Sequence, residues 1–219
     1  MINVITVKHG NNKVYDHNYV NKMFNMISRN LSLPHKFYCL TEDSQGFDTN
    51  IHVIPLPVNE LKINGWWWKT YMFKPNLFEY DINFYIDLDM IITSNIDHWM
   101  TYKPNTFLGL IDVAVVNNPT VNSLGSGVLR WNKNQYKDIY ENIISKTRNI
   151  VSTYHSTGDQ GYIWSMYKNE IKFYPHDWYE SFKWELEIKG HKQSSNMIVF
   201  HGRAKPHNSR HPYILEYWK

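Results

Sequence analysis

Asn83-Phe84-Tyr85-Ile86-Asp87-Leu88-Asp89-Met90-Ile91-Ile92 is the run on which the reading of this chain turns. Two carboxylates stand two apart inside an otherwise apolar, β-prone segment. Taking a bare carboxylate out of water is costly, so a strand that carries two must supply partners for them. The pattern reads as a buried strand over 83–88 whose C-terminal end opens on a ligand site, where open α/β sheets bind their ligands. From an extended chain the side chains of Asp87 and Asp89 point to one side. Hard oxygen donors of this kind suit Mn²⁺ or Mg²⁺. A pair of solvated turn residues would give the same spacing, so the motif needs support from elsewhere in the chain.

Upstream, residues 2–7 are rich in Val and Ile and read as the first strand. Val20, Met23, Phe24, Ile27 and Leu31 recur at helical spacing, so a helix is expected over roughly 16–31, closed by Pro34. Strands follow at 35–40 and 51–55. This β-α-β-β opening argues for an α/β fold, one domain with a mixed, mostly parallel central sheet flanked by helices. Gly65-Trp66-Trp67-Trp68-Lys69-Thr70-Tyr71-Met72-Phe73-Lys74-Pro75 reads as a short helix ended by Pro75. The three tryptophans cannot share one helical face. One or two belong to the core, and another is free to line an acceptor groove.

Downstream, the expectations are a strand pair over 106–116, a short strand at 126–131, a helix of about three turns near 136–144, a helix over 159–166, and late strands at 171–174 and 197–200. Gly158-Asp159 opens the second of these helices, where Asp159 could serve as its N-cap. The His176–Glu180 stretch reads as a loop able to meet acceptor hydroxyls, and Glu185-Leu186-Glu187 as a solvated face. The late strand delivers His201 into a glycine-containing loop with Lys205 four residues on. An imidazole can complete a metal site, and an ammonium can neutralise phosphate.

The totals narrow the classes. At 219 residues, 42% hydrophobic and a net charge of +3, the chain is large enough to bury a core. Its charge does not point to nucleic acid. The single Cys39 has no partner for an internal disulfide, so a reducing, cytoplasmic setting is expected. No run of about eighteen apolar residues suggests a membrane span, and the first residues lack the basic start of a signal peptide. Nine Trp and sixteen Tyr among 219 residues are many; such rings fill cores, and their faces also stack on sugars and bases.

Four motifs occur in one order: Tyr85-Ile86-Asp87-Leu88-Asp89, Ser126-Gly127-Val128, Gly158-Asp159-Gln160, and His201-Gly202-x-x-Lys205-Pro206. Together they resemble the GT-A fold glycosyltransferases, most of all the glycogenin-type glycosyltransferase family 8. The resemblance implies retaining transfer of a hexose from a UDP-sugar to a carbohydrate or other hydroxyl acceptor, with Mn²⁺ as cofactor. It assigns Asp87, Asp89 and His201 to the metal. Lys205 and Gly202 would meet the diphosphate. Thr6, Val7, Lys8 and Tyr15 would hold the uridine, with Tyr15 stacked on the base. Lys69 and Leu88 would also touch the nucleotide, Ser126 and Gly127 the donor sugar, and Asp159 and Gln160 the anomeric carbon. Residues 1–100 would then form the nucleotide-binding part, and 101–219 the part that holds the acceptor and closes the metal site. The chain departs from the pattern at His207, where an aromatic often follows Lys-Pro, and at Gly125, commonly Asn. The region that usually builds the acceptor site is reduced to about 170–196. A sugar-nucleotide hydrolase or nucleotidyltransferase on a similar sheet, or a carbohydrate-binding protein without activity, are the rival readings. With no obvious nucleophile, retention suggests front-face attack, with Asp159 as the alternative nucleophile or charge stabiliser.

Overall fold

Strand residues of this chain alternate between two apolar layers, and that alternation sets the architecture. In the computed structural model, which describes residues 1–10, 14–113, 123–192 and 194–219, the order opens with β1 (Ile2–Val7), α1 (His17–Asn30), β2 (His35–Thr41) and β3 (His52–Pro55). A 3₁₀ segment, Gly65–Phe73, precedes β4 (Ile82–Ile86), β5 (Met90–Ile92) and α2 (Asp97–Thr101). Then come β6 (Leu108–Ile111), β7 (Leu124–Asn132), α3 (Asp138–Thr153), α4 (Gly158–Tyr167), β8 (Lys172–Phe173), β9 (Tyr179–Ser181) and β10 (Met197–Val199).

The main sheet has seven strands in the order β3-β2-β1-β4-β7-β6-β8. β3, β2, β1 and β4 run parallel, as do β6 and β8, while β7 is antiparallel to both of its neighbours. Val4, Phe37, Cys39, Phe84, Ile86 and Val128 face one layer, which α1 covers. Ile5, Tyr38, Leu40, Tyr85, Leu129 and Trp131 face the other, covered by the 3₁₀ segment, α3 and α4. Asn3 and Asn83, buried in the sheet, pair with each other: Asn3 Nδ2 donates to Asn83 Oδ1 at 2.8 Å, between positions in register on β1 and β4.

Helix α1 starts where a side chain satisfies its free amides. Asp16 accepts from the Asn18 and Tyr19 N–H groups, and Val20, Met23 and Ile27 turn inward. It ends at Leu31, which is extended, ahead of Pro34 and β2.

A second sheet, β5-β10-β9, carries the carboxylate run to the late part of the chain. β5 and β10 are antiparallel with Met90 opposite Val199, and β9 and β10 are parallel with Ser181 opposite Val199.

Several expectations are corrected. The central strand ends at Ile86, and Asp87–Asp89 form a turn in which Met90 N–H donates to Asp87 C=O at 3.2 Å. The two carboxylates therefore do not project from one extended strand. The tryptophan segment is a 3₁₀ helix, and α3 is longer than three turns. Glu185 is not solvated: it is buried, accepts from Ser181 N–H at 2.8 Å and pairs with Lys192. His176–Trp178 is a 3₁₀ turn, half-buried except for the exposed Asp177, that leads into buried β9, where Glu180 is fully enclosed and holds His191 and the Lys192 N–H, so only the first part of this stretch meets solvent. Of the strand pair expected over 106–116, β6 is present, and positions 114–116 lie outside the described residues. So do residues 11–13.

Candidate active site

A cavity of about 810 Å³ opens at the C-terminal ends of β1 and β4. Val7, Lys8 and Tyr15 reach it from the first strand and its loop, Asp87, Leu88 and Asp89 from the turn after β4, and Ser126 and Gly127 from β7. Asp159 and Gln160 enter from the start of α4, and His201, Gly202 and Lys205 from the loop after β10. Lys69 comes from the 3₁₀ segment. Of the expected site residues, only Thr6 does not line it. Its hydroxyl is buried in β1 without a hydrogen-bond partner.

Lys69 is the hub. Its ammonium lies 2.9 Å from Asp87 Oδ1, 3.0 Å from Asp87 Oδ2, 3.4 Å from Ser126 Oγ and 3.8 Å from Asp159 Oδ2. Burial alone would lower its pKa, but Asp159 and Asp87 together raise it, so it stays charged. Burial raises the Asp87 pKa, with nearby Asp89 adding to this, against the pull of Lys69. The Tyr85 hydroxyl also donates to Asp87. Asp159 is nearly enclosed, and its Oδ2 accepts no hydrogen bond. It sits in the first turn of α4, whose cap position is Thr157, so the N-cap role expected for it is not the one it has. A carboxylate there gains from the helix dipole. Gln160 is held by its amide, which donates to Asp112 Oδ2 at 3.2 Å.

Asp89 has a different partner set. Lys205 Nζ is 2.6 Å from its Oδ2, and the Tyr15 hydroxyl donates to the same oxygen at 2.8 Å. Burial and Asp89 raise the Tyr15 pKa well above that of a free phenol, which keeps it a donor. His201 bonds through Nε2 to Ser181 Oγ at 2.8 Å, and the Trp184 ring stacks on it with centroids 6.0 Å apart. Burial lowers its pKa, and Lys183 adds to this, so the neutral imidazole is favoured.

The fold then bears on what such a cavity does. No family model and no curated protein matches the chain. Solved structures do. The glycosyltransferase GlyE of Streptococcus pneumoniae TIGR4 superposes with a TM-score of 0.64 at 15% identity, over 94% of this chain and 56% of that one. The galactosyltransferase LgtC, in complex with donor and acceptor sugar analogs, gives 0.65 at 13% identity, over 93% and 88%. The bifunctional glycosyltransferase WbbM gives 0.62 at 13% identity, over 95% and 47%. The fold is that of the GT-A glycosyltransferases. The chain spans about half the length of GlyE and of WbbM, and most of that of LgtC.

Within this GT-A fold the structure gathers the expected metal ligands into one cavity but not into one cluster. Among the described residues, no group of three or more His, Cys, Asp or Glu stands close enough to hold an ion. The donors suit a hard divalent ion in kind, as two carboxylates and an imidazole. In this arrangement cationic lysines occupy both carboxylates. Among the described residues, none of 170–196 lines the cavity. The sequence reading missed Ser181, Tyr85 and Asp112, which hold His201, Asp87 and Gln160. Tyr85 opens the Tyr85–Asp89 motif, though nothing in that motif assigns its hydroxyl to Asp87; Ser181 and Asp112 are marked only by their placement in space. No helix among the described residues is long and apolar enough to cross a membrane.

Proposed function

We propose that this protein is a metal-dependent glycosyltransferase that moves a hexose from a UDP-sugar to a hydroxyl acceptor with retention of anomeric configuration. One observation carries the reading: three carboxylates, Asp87, Asp89 and Asp159, and two ammonium groups, Lys69 and Lys205, converge at the C-terminal end of β4 in a fold shared with glycosyltransferases.

Such transfer builds negative charge on a departing diphosphate. Lys205 meets that charge at the mouth of the Gly202 loop, where the left-handed backbone of Gly202 (φ +67°) and the open space around it admit a phosphate close to the main chain. Val7, Lys8 and Tyr15 bound the side of the cavity suited to the uridine. Asp87, Asp89 and His201 would hold Mn²⁺, or Mg²⁺ in its place, and the bound ion would supply Lewis-acid stabilisation of the leaving group. Asp159 lies within the cavity with an oxygen free of hydrogen bonds. There it can stabilise positive charge at the anomeric carbon or attack it, with the Lys69 ammonium 3.8 Å away. Gln160, fixed by Asp112, orients the sugar. Gly127 lies beside Asp87, where a Cβ would stand 3.4 Å from Asp87 Oδ2, and the Ser126 hydroxyl accepts from Lys69 at 3.4 Å. The single, buried Cys39 agrees with a reducing, cytoplasmic setting.

The test is a screen of UDP- and GDP-sugars, with methyl glycosides as acceptors, for nucleotide release with Mn²⁺ and with chelator. Release from a UDP-sugar that stops on chelation, and a product with the donor's configuration by NMR, are the expected results. Inversion, or metal-independent release, refutes the proposal.

A further inference from the structure

Three tryptophans run together in the 3₁₀ segment, and they have separate fates. Trp67 and Trp68 are buried at 5% and 2% exposure, whereas Trp66 is 55% exposed. A 3₁₀ helix has three residues per turn, so residues three apart eclipse one another. Trp66 therefore stands over Lys69, and both line the cavity. The indole sits one turn from the ammonium that meets Asp87 and Asp159.

Two glycines shape its surroundings. A Cβ at Gly158 would come within 2.5 Å of Trp66 Nε1, so the edge of the indole rests on bare backbone at the start of α4. Gly158 has φ +63°, a conformation that side chains rarely adopt. Gly65, the residue before it, has φ +62° and, apart from its chain neighbours, nothing within 4 Å of a would-be Cβ. The indole thus rests along one edge on Gly158 while Trp66 as a whole stays 55% exposed. Ser156, Thr157 and Gln160 line the same cavity and add two hydroxyls and an amide.

We infer that Trp66 is the floor of an acceptor subsite, and that the acceptor is itself a sugar. A pyranose presents an apolar C–H face and a rim of hydroxyls, which suits a flat indole bordered by hydroxyl and amide groups. A hydroxyl of a ring resting on Trp66 would lie next to Asp159 and Gln160, where the proposed transfer takes place. The inference rests on the glycosyltransferase reading and narrows its acceptor to carbohydrate.

The experiment is saturation-transfer NMR on the full chain with UDP present, using methyl β-galactoside, methyl β-glucoside and lactose as probes. Trp66→Ala, Trp66→Leu and Trp66→Phe are compared with the unaltered protein, and calorimetry gives the UDP affinity of each. The expected result is saturation of the ring protons of at least one probe. The probe dissociation constant should rise about tenfold in Trp66→Ala and Trp66→Leu, and less than about threefold in Trp66→Phe, which keeps an aromatic face. UDP affinity should change by less than about twofold in all three. Equal probe binding by Trp66→Leu, or no probe bound by the unaltered protein while UDP binds, overturns the inference and leaves the donor reading standing. A tenfold loss of UDP affinity would place the base on Trp66 and overturn it too. Failure of the unaltered protein to bind UDP would instead refute the donor reading itself.

Discussion

Two lysines hold three carboxylates in this cavity, and they do so differently. Lys69 is deep, its side chain 13% exposed, and it answers to Asp87 and Asp159 at once. Removing one member of such a buried pair leaves a charge that neither water nor protein solvates well. Lys69→Met is therefore expected to destabilise the fold by about 3 kcal/mol, read as a lower urea midpoint, with Lys69→Arg recovering part of the loss. A midpoint unchanged in Lys69→Met would show that water reaches Asp87 and Asp159 freely. Lys205 is nearer the surface and comes from a loop, so its 2.6 Å contact with Asp89 is easier to exchange. In the proposed reaction Asp89 belongs to the metal and Lys205 to the diphosphate, so the two cations compete for one carboxylate when no donor is bound. Lys205→Ala should then act with opposite signs. Mn²⁺ affinity of the donor-free protein rises about threefold, and UDP affinity in the presence of Mn²⁺ falls about tenfold. Calorimetry measures both, and a parallel loss of the two would mean that Lys205 supports the metal site and does not rival it.

The small β5-β10-β9 sheet joins the ends of the site. Its register sets Val199 opposite both Met90 and Ser181, so the residues that follow β10 emerge beside Asp89 on one side and beside the Ser181 hydroxyl on the other. Ser181 also accepts from Trp184 N–H at 3.1 Å, which steadies the oxygen that meets His201 Nε2. Partners of this kind orient a metal-binding imidazole, and losing one costs about tenfold or more in metal affinity. Ser181→Ala is expected to weaken Mn²⁺ binding by about that factor while β9 and β10 stay paired, which calorimetry and amide exchange check separately. Unchanged Mn²⁺ affinity would remove His201 from the ligand set. This sheet also marks where sequence reading stopped. The first four strands and α1 were legible because alternation, helical spacing and Pro34 are local signals. Asp87 and Asp89 were legible as a pair for a different reason: a charged pair in an apolar run needs an explanation. Their turn was not, since the apolar run continues through Leu88 and Met90 without a glycine or proline to break it. Ser181 and Glu185 were illegible, because their roles arise only when β9 meets β10. The division among Trp66, Trp67 and Trp68 depends on three residues per turn in place of 3.6, which hydrophobic spacing alone does not distinguish over nine residues.

At the scale of the molecule, burial of titratable groups couples the fold to pH. His9, His98, His176 and His201 all have pKa values below the ordinary 6.5, each chiefly because burial disfavours the charged ring. Above 6.5 these rings are neutral whether the chain is folded or not. As pH falls through that value the unfolded chain takes up protons that the folded chain resists, so the unfolded state is favoured. Glu185, with its pKa lowered by Lys192 and the Ser181 N–H against burial, acts in the same sense at more acidic pH. Asp87, with its pKa raised by burial, opposes it. Between about pH 7.5 and about pH 5.5 the histidines should prevail, and the urea midpoint should fall. His98 gives the control. Its ring meets Trp178 edge to face with centroids 4.3 Å apart, a contact that phenylalanine can keep without taking a proton. His98→Phe should therefore fall less over the same pH range than the unaltered protein, and the difference between the two slopes reports the share of one buried ring. A midpoint that does not fall on acidification would mean that the histidines lie open to water in solution, and with them the walls of the cavity that His9 and His201 line.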